Sequence, residues 1–265
     1  CISFVLVVFT SGFAQDSKSG DGNNFSTSGK FDSKTTGQIP FTTEGIVTIS
    51  HSTSQSIVPG SVACSAGGLH ADNSYWRAFN LPSFGISGAY TVTDVSIGVE
   101  TASSTGASQQ VTCNLYTSSQ AFPGGFPGSL TLIGTATVDV TPQSSTILNI
   151  PVAGVAPAGS ELVVEIFTPD GQTLGNAFFI GSNGLGETGP SYISAVDCGL
   201  TAPATTGSIG FPGMMIVMNV TGNDGAPCPV GPATNPSPVS GSVDVSINPG
   251  NATWTNGVET SQVEV

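Results

Sequence analysis

The sequence predicts an all-β protein whose main part is an antiparallel β-sandwich. Short β-branched and aromatic runs recur about every 10–20 residues, a spacing typical of sandwiches and barrels. Turns rich in Pro and Gly separate the runs, as at 122–125, 168–171 and 211–213. A helical period is absent over any useful window. Disorder is disfavoured because the hydrophobic residues, 38% of the chain, fall in runs that can bury a core.

Segments of strand length follow one another from about Gly45. They span residues 46–49, 74–79, 90–99, 111–116, 130–140, 146–152, 161–167, 177–180 and 214–220. Roughly ten strands fit a jelly-roll-like sandwich better than a seven-stranded immunoglobulin domain. In the segment 90–99 the apolar residues Tyr90 and Val92 lie at even positions, whereas Val95 and Ile97 lie at odd positions. This change predicts a bulge or twist near Asp94.

Composition divides the chain into five parts. An apolar stretch near the start, closed by small residues up to Ala14, predicts the end of a signal peptide, with a buried first strand as the alternative. Both ends of the sequence are expected to be cuts within a longer protein. The predicted parts are a truncated signal peptide at 1–14, a flexible linker at 15–42, the β-sandwich at 43–222, a stiff Pro-rich linker at 223–240 and an incomplete second β-sandwich domain at 241–265.

The charge balance excludes some functions. The net charge is −13, and the chain has only four Lys and Arg residues. A nucleic-acid binder needs a basic surface to neutralise phosphates, and this chain has none to offer. The same charge repels an anionic membrane, so membrane insertion of the mature chain is not expected. Because the acids are spread along the sequence, a solvated acidic surface is favoured over a designed cation site.

Two stretches carry a resemblance to known modules. Residues 235–265, with a Pro-rich entry, Trp254 and an alternating strand, resemble the opening of an immunoglobulin-like or fibronectin type III-like domain. The block from about Gly45 to Gly222 resembles a β-sandwich module of exported bacterial multidomain proteins. The segments that carry this second resemblance are 64–68, 72–79, 167–171, 178–183 and 197–199. It implies the non-catalytic setting of secreted adhesins and extracellular hydrolases, and no catalytic residue.

No catalytic motif is found in the sequence. His51 and His70, the only histidines, lie in polar stretches and are interpreted as surface or loop residues. A Gly-x-Ser-x-Gly elbow is absent. Glu161 and Glu165 could form a carboxylate pair, but their Cα atoms are about 13 Å apart along a strand, which is long for acid/base work. The solvent face of an edge strand explains them more simply.

Calcium is the cation that would fit the oxygen-rich side chains of this sequence. Asp72 and Asn73, in a loop before a strand, form the best local ligand cluster. The alternative is a turn that starts the strand. Asp170 comes next, but a Pro-Asp-Gly turn needs its Asp for backbone bonding. No other cofactor is expected.

A group of aromatic residues suggests a sugar-binding platform. Period two places Tyr75 and Phe79 on one strand face and Trp76 on the other, so one set has to be core. Core packing is the favoured interpretation for most of these rings. Trp76 and Arg77 remain as ligand-binding candidates.

Cysteine pairing follows from the expected export into an oxidising compartment. Four cysteines remain after Cys1, and they allow three connectivities between which sequence cannot choose. A jelly roll brings early and late strands together, so Cys64–Cys198 is the favoured disulfide. Cys113, at a strand position, is expected to stay reduced. Cys228 is expected to be free or paired outside this sequence.

The sequence is consistent with three functional interpretations. The first is a non-catalytic adhesion or ligand-binding module of an exported bacterial surface or secreted protein, with carbohydrate or another surface protein as its partner. The second is an ancillary domain of an extracellular hydrolase, a protease or glycosidase, whose catalytic part lies outside the sequence. The third is a structural spacer without a ligand.

Overall fold

The computed structural model describes residues 44–106 and 108–227, together with three strands between 234 and 263. Side chains are described at 45–106 and 108–225. The predicted signal peptide at 1–14 and the predicted linker at 15–42 lie outside these residues. Among the residues that are described, no helix is long and apolar enough to cross a membrane.

Strands account for most of the described chain. In order they are β1 (Glu44–Ser50), β2 (Ser65–Ala66), β3 (Leu69–His70), β4 (Asn73–Asn80), β5 (Tyr90–Ser103), β6 (Gln109–Ser118), β7 (Leu130–Val140), β8 (Gln143–Ala156), β9 (Glu161–Thr168), β10 (Ala177–Ile180), β11 (Ser182–Asn183), β12 (Tyr192–Ala195), β13 (Leu200–Thr205), β14 (Met215–Ile216), β15 (Met218–Pro227), β16 (Thr234–Ser237), β17 (Ala252–Thr255) and β18 (Thr260–Val263). Three short 3-10 helices lie at Leu81–Phe84, Gln172–Leu174 and Val196–Cys198. The all-β prediction is confirmed.

The first large sheet has five strands and is built around β5. Strand β8 pairs along one edge of β5 over its full length. The other edge is shared, because β15 pairs with the first half of β5 and β10 pairs with its last residues. Strand β1 then pairs with β15 at the border of the sheet. All of these pairings are antiparallel.

The second large sheet has six strands in the order β13-β12-β4-β9-β6-β7, and all are antiparallel. Its inner face packs against the five-stranded sheet to form the main core. Tyr75 and Phe79 lie in this core, whereas Trp76 belongs to a separate cluster on the outer face. The predicted split of these rings between the two strand faces is therefore confirmed. The jelly-roll connectivity stays a prediction.

The bulge expected in β5 is present. Register against β8 shifts between Val92 and Asp94, and register against β15 shifts at Thr221 and Gly222. Val92 and Val95 are both buried because the extra residue changes the parity of the strand.

The two sheets come close together along β7 and β8. A Cβ atom at Gly134 would overlap the carbonyl oxygen of Ala153, and one at Gly154 would lie 3.1 Å from the carbonyl oxygen of Ile133. Glycine at these two positions thus allows the backbones of the two edge strands to approach each other.

One sequence prediction needs correction here, and the predicted domain bounds stay a prediction. Glu161 and Glu165 do not lie on an edge strand, because β9 has β4 on one side and β6 on the other. Strand β15 continues past Gly222 to Pro227, where it pairs with Glu44. Beyond it, β16, β17 and β18 form a small antiparallel sheet, and β16 falls within the predicted linker. An immunoglobulin-like or fibronectin type III-like second domain stays a prediction.

Candidate functional site

The outer face of the six-stranded sheet carries an ordered array of polar side chains. Strand pairing sets them in two rows. One row runs Ser74, Phe167, Thr112 and Thr137, and the other runs Trp76, Glu165, Asn114 and Thr135. We call this surface the polar face and include Tyr116, which is the next residue on this side of β6.

Glu165 lies at the centre of the polar face. It is 8% exposed and accepts three hydrogen bonds: from the Ser74 hydroxyl at 2.6 Å, from Asn114 Nδ2 at 2.9 Å and from the Tyr116 hydroxyl at 2.9 Å. Burial, with a smaller contribution from the Glu165 charge, raises the pKa of Tyr116, so its hydroxyl stays a proton donor. The carboxylate is held in place by these donors.

The network reaches solvent through Asn114. With its Nδ2 committed to Glu165, Asn114 turns its Oδ1 to the Thr135 hydroxyl, which donates at 2.7 Å. Beside it, the hydroxyls of Thr112 and Thr137 lie 2.9 Å apart. Thr135 and Thr137 are exposed, and Asn114 and Phe167 are half-buried. A fixed set of hydroxyl and amide groups, with one apolar ring beside it, is therefore accessible on this surface.

An aromatic cluster closes one end of the polar face. The ring of Trp76 lies 5.7 Å from that of Phe122 and 5.6 Å from that of Phe126, and its Nε1 donates to Ser194 Oγ at 2.9 Å. The loop that carries both phenylalanines is held by the Phe122 amide, which donates to Glu161 Oε2 at 2.8 Å. Trp76 is 4% exposed, so it packs beneath this loop.

These contacts decide what the polar face can do chemically. Glu161 accepts a hydrogen bond from the backbone of the Phe122 loop, and Glu165 accepts hydrogen bonds from side chains of β4 and β6, so both carboxylates tie neighbouring segments together. The accessible groups are neutral donors and acceptors in fixed positions. Such a surface suits a neutral polyhydroxyl ligand, which offers both kinds of partner and an apolar ring face.

Comparisons with known proteins do not extend this description. No family model, no curated protein and no solved structure matches the chain.

The two predicted ligand-binding residues lie on opposite faces of β4. Trp76 belongs to the aromatic cluster, whereas Arg77 is fully buried on the inner face. Arg77 donates to the carbonyl oxygens of Gly189, at 2.6 Å, and Ile216, and it forms an ion pair with Glu187 at 3.0 Å. Burial lowers the pKa of Arg77, and the Glu187 charge opposes this. The structure gives Arg77 a structural role in the interior.

The predicted calcium ligands also hold the backbone together. Asn73 is buried; its Oδ1 accepts from the Cys64 amide at 2.7 Å, and its Nδ2 donates to the carbonyls of Cys64 and Ala71. Asp72 accepts from the Asp197 amide at 3.3 Å. In the part of the chain that the structure describes, no group of three or more His, Cys, Asp or Glu residues could hold a metal ion. The calcium assignment stays a prediction.

The favoured disulfide is present. Cys64 and Cys198 are bonded, with their Cα atoms 5.9 Å apart, and they join the loop before β2 to the end of the third 3-10 helix. Cys113 is buried and reduced, as expected. Cys228 lies outside the described residues. The disulfide is compatible with an extracellular protein.

The interpretation of the histidines as surface or loop residues is wrong for His70, whereas His51 does lie in a loop, just after β1. His70 is buried in β3, and its Nδ1 lies 3.0 Å from the Asn176 carbonyl oxygen. His51 is half-buried and stacks on Phe79, with its Nε2 2.8 Å from the Ala78 carbonyl oxygen. Burial lowers the pKa of both side chains. Their polar sequence neighbours gave no signal of this burial.

Sequence reasoning considered Glu165 only as half of a carboxylate pair, and it missed Asn114 and Thr135 on the polar face. Asn114, Thr135 and Glu165 come from three different strands, and only the register between strands brings them together. One local signal was present, because Thr112 and Asn114 alternate with the buried Val111, Cys113 and Leu115. That pattern assigns them to an outer face but cannot identify their partners.

Proposed function

We propose that the β-sandwich is a non-catalytic, extracellular binding module that recognises a neutral glycan on the polar face. The observation that carries the proposal is the hydrogen-bonded chain from buried Glu165 through Asn114 to exposed Thr135. Fixed partners at one end orient the exposed group at the other, so little conformational entropy is lost when a ligand binds.

The apolar side of the site supports a sugar ring. Phe167 is half-buried between Ser74 and Thr112 and presents apolar area beside the hydroxyl array. A pyranose has an apolar ring face and a rim of hydroxyl groups, which matches this pairing of surfaces. The net charge of −13 disfavours acidic ligands such as uronates and sialic acids.

The extracellular setting has separate support. The Cys64–Cys198 disulfide is of the kind that persists in oxidising compartments. The low content of Lys and Arg and the acidic balance suit a soluble surface or secreted protein. Adhesion to a glycan-bearing surface is the function that combines these properties.

The test is a screen of the whole chain against an array of neutral oligosaccharides, followed by titration calorimetry on the best ligand. Thr135→Val removes one exposed hydroxyl at constant shape and is expected to weaken binding about fivefold to tenfold. Thr131→Val is the matched control, because Thr131 is exposed on the same strand but pairs with Thr117.

Two results would oppose the proposal. One is an array without any neutral glycan bound. The other is equal affinity of the two threonine variants for a glycan that does bind, which would place its site elsewhere on the molecule.

A further inference from the structure

A cavity of about 300 Å³ opens at the far end of β6 and β7 from the aromatic cluster. Its lining includes Gln109 of β6, Asp139 of β7, Asp170 of the turn after β9 and the buried His70. Asp139 is two residues beyond Thr137, so the cavity borders the polar face without sharing its residues. We call it the β6–β7 cavity.

Gln109 gives the first indication of a ligand. It is 5% exposed, and its Nε2 donates to the carbonyl oxygens of Ala177 at 2.9 Å and Ser103 at 3.2 Å. Its Oε1, at the other end of the carboxamide, is buried and has no hydrogen-bond donor among the described residues. A buried acceptor without a donor is costly, so a ligand that supplies an N–H group here gains affinity.

The charges around the cavity indicate the sign of the charge on that ligand. Asp139 and Asp170 line the opening, and both are exposed. Burial lowers the pKa of His70, which keeps its ring neutral at pH 7. Arg77 is the one Lys or Arg residue among those described, and it is paired with Glu187. No cation of the described chain therefore offsets the two carboxylates, and a cationic donor is favoured.

The apolar rim of the cavity indicates that the ligand also has an apolar part. Leu174 lines the cavity and is 64% exposed, and Pro169 lies beside it. An aliphatic stem covers such a rim, as the methylenes of lysine side chains cover apolar surface elsewhere. A bare metal ion would leave the rim uncovered and would find two carboxylates where calcium takes six to eight oxygen ligands.

We propose that the β6–β7 cavity binds an aliphatic primary ammonium group, with the ammonium near Asp139, Asp170 and Gln109 Oε1 and its stem on Leu174. The same chemistry is presented by a lysine side chain of a partner protein and by a free alkylamine. The proposal is independent of glycan recognition on the polar face.

The test measures binding to the isotope-labelled whole chain by nuclear magnetic resonance titration. The probes are pentylamine, Nα-acetyl-lysine N-methylamide, pentanol as a neutral stem and calcium chloride. Both amines are expected to shift the amide signals around Gln109 and Asp170, and pentanol and calcium are not. Binding of the lysine amide alone would assign the site to a protein partner, and binding of pentylamine alone would assign it to free amines.

Variants locate the site. Asp170→Asn and Asp139→Asn are each expected to weaken amine binding about tenfold, because a charge-assisted hydrogen bond is lost. Leu174→Ser is expected to weaken pentylamine binding as well, and it changes an exposed side chain that the fold does not need. Asp94→Asn is the control of equal charge, since Asp94 lies about 30 Å from the cavity along β5.

Three outcomes would overturn the proposal. Pentanol could bind as tightly as pentylamine, calcium could bind where amines do not, or the Asp139 and Asp170 variants could bind amines as well as the Asp94 variant. An absence of amine binding at 10 mM, about the weak limit for a small ligand, would also overturn it. None of these outcomes bears on glycan binding, because no probe is a sugar.

Discussion

Replacement of Glu187 by Gln should destabilise the protein strongly, because it leaves Arg77 charged in the interior without a carboxylate. Arg77 is fully buried, and its guanidinium lies 3.0 Å from Glu187 Oε2, which is 19% exposed as a side chain. The remaining partners of Arg77 are the carbonyls of Gly189 and Ile216. These carbonyl groups carry no formal charge. The variant therefore leaves the guanidinium with two neutral hydrogen-bond acceptors and without its counter-ion.

The magnitude follows from the distance. Two unit charges 3.0 Å apart attract by about 5.5 kcal/mol at an effective dielectric constant of about 20. Measured losses on breaking a buried pair are about 3–5 kcal/mol. Glutamine retains an acceptor for Arg77, so Glu187→Gln should cost about 3 kcal/mol. For a domain of about 180 residues this corresponds to a fall in Tm of roughly 6–12 °C.

Urea unfolding and calorimetry of the whole chain check this prediction. Asp94→Asn removes the same charge from a strand of the five-stranded sheet and should change the free energy of unfolding by less than about 0.5 kcal/mol. If Glu187→Gln lowered the free energy of unfolding by less than about 1 kcal/mol, the structural role of Arg77 would be refuted. Its assignment as a ligand-binding residue would then regain support.

Three further outcomes are expected. Reduction of Cys64–Cys198 should lower the free energy of unfolding by up to about 5 kcal/mol, because the bond closes a loop of 134 residues; identical urea midpoints with and without reductant would contradict this. Burial raises the pKa of Cys113 to about 12, so its thiol should react with a disulfide reagent only after unfolding. Stability should also fall as pH drops from 7.5 to 5.5. The unfolded chain binds protons at its histidines near pH 6.5, whereas the pKa values of His51 and His70 are lowered by burial in the folded protein. His70→Gln should make the free energy of unfolding depend less steeply on pH. If the double variant His51→Gln, His70→Gln kept the full pH dependence, other groups would be its cause.

Features set by neighbouring residues were predictable from the sequence. Side-chain direction alternates along a strand, so the opposite orientation of Phe79 and Trp76 followed from their spacing alone. The bulge near Asp94 followed from the same rule, because an extra residue has to reverse the parity. Strand centres were found for this reason, and strand ends, rich in Ser, Thr and Gly, were not.

Features set by distant residues were not predictable. Arg77 and Glu187 are 110 positions apart, and nothing near either residue indicates the other. Glu165 alternates with apolar neighbours as it would on an edge strand, and only the pairing of β9 with β4 and β6 places it in the centre of a sheet. Strands β12 and β13 escaped prediction because they are short and carry few β-branched residues.

The pairing of β1 with β15 has a mechanical consequence. Glu44, where β1 begins, pairs with Pro227, where β15 ends, so the two flanking chain segments leave from the same end of one strand pair. Tension between these segments would peel the pair apart one hydrogen bond at a time. The Cys64–Cys198 bond would then stop the extension after about 50 residues, or roughly 170 Å. The polar face and the β6–β7 cavity both lie inside the covalently closed loop, so a tethered molecule would lengthen under force without drawing either of them into the extended segments.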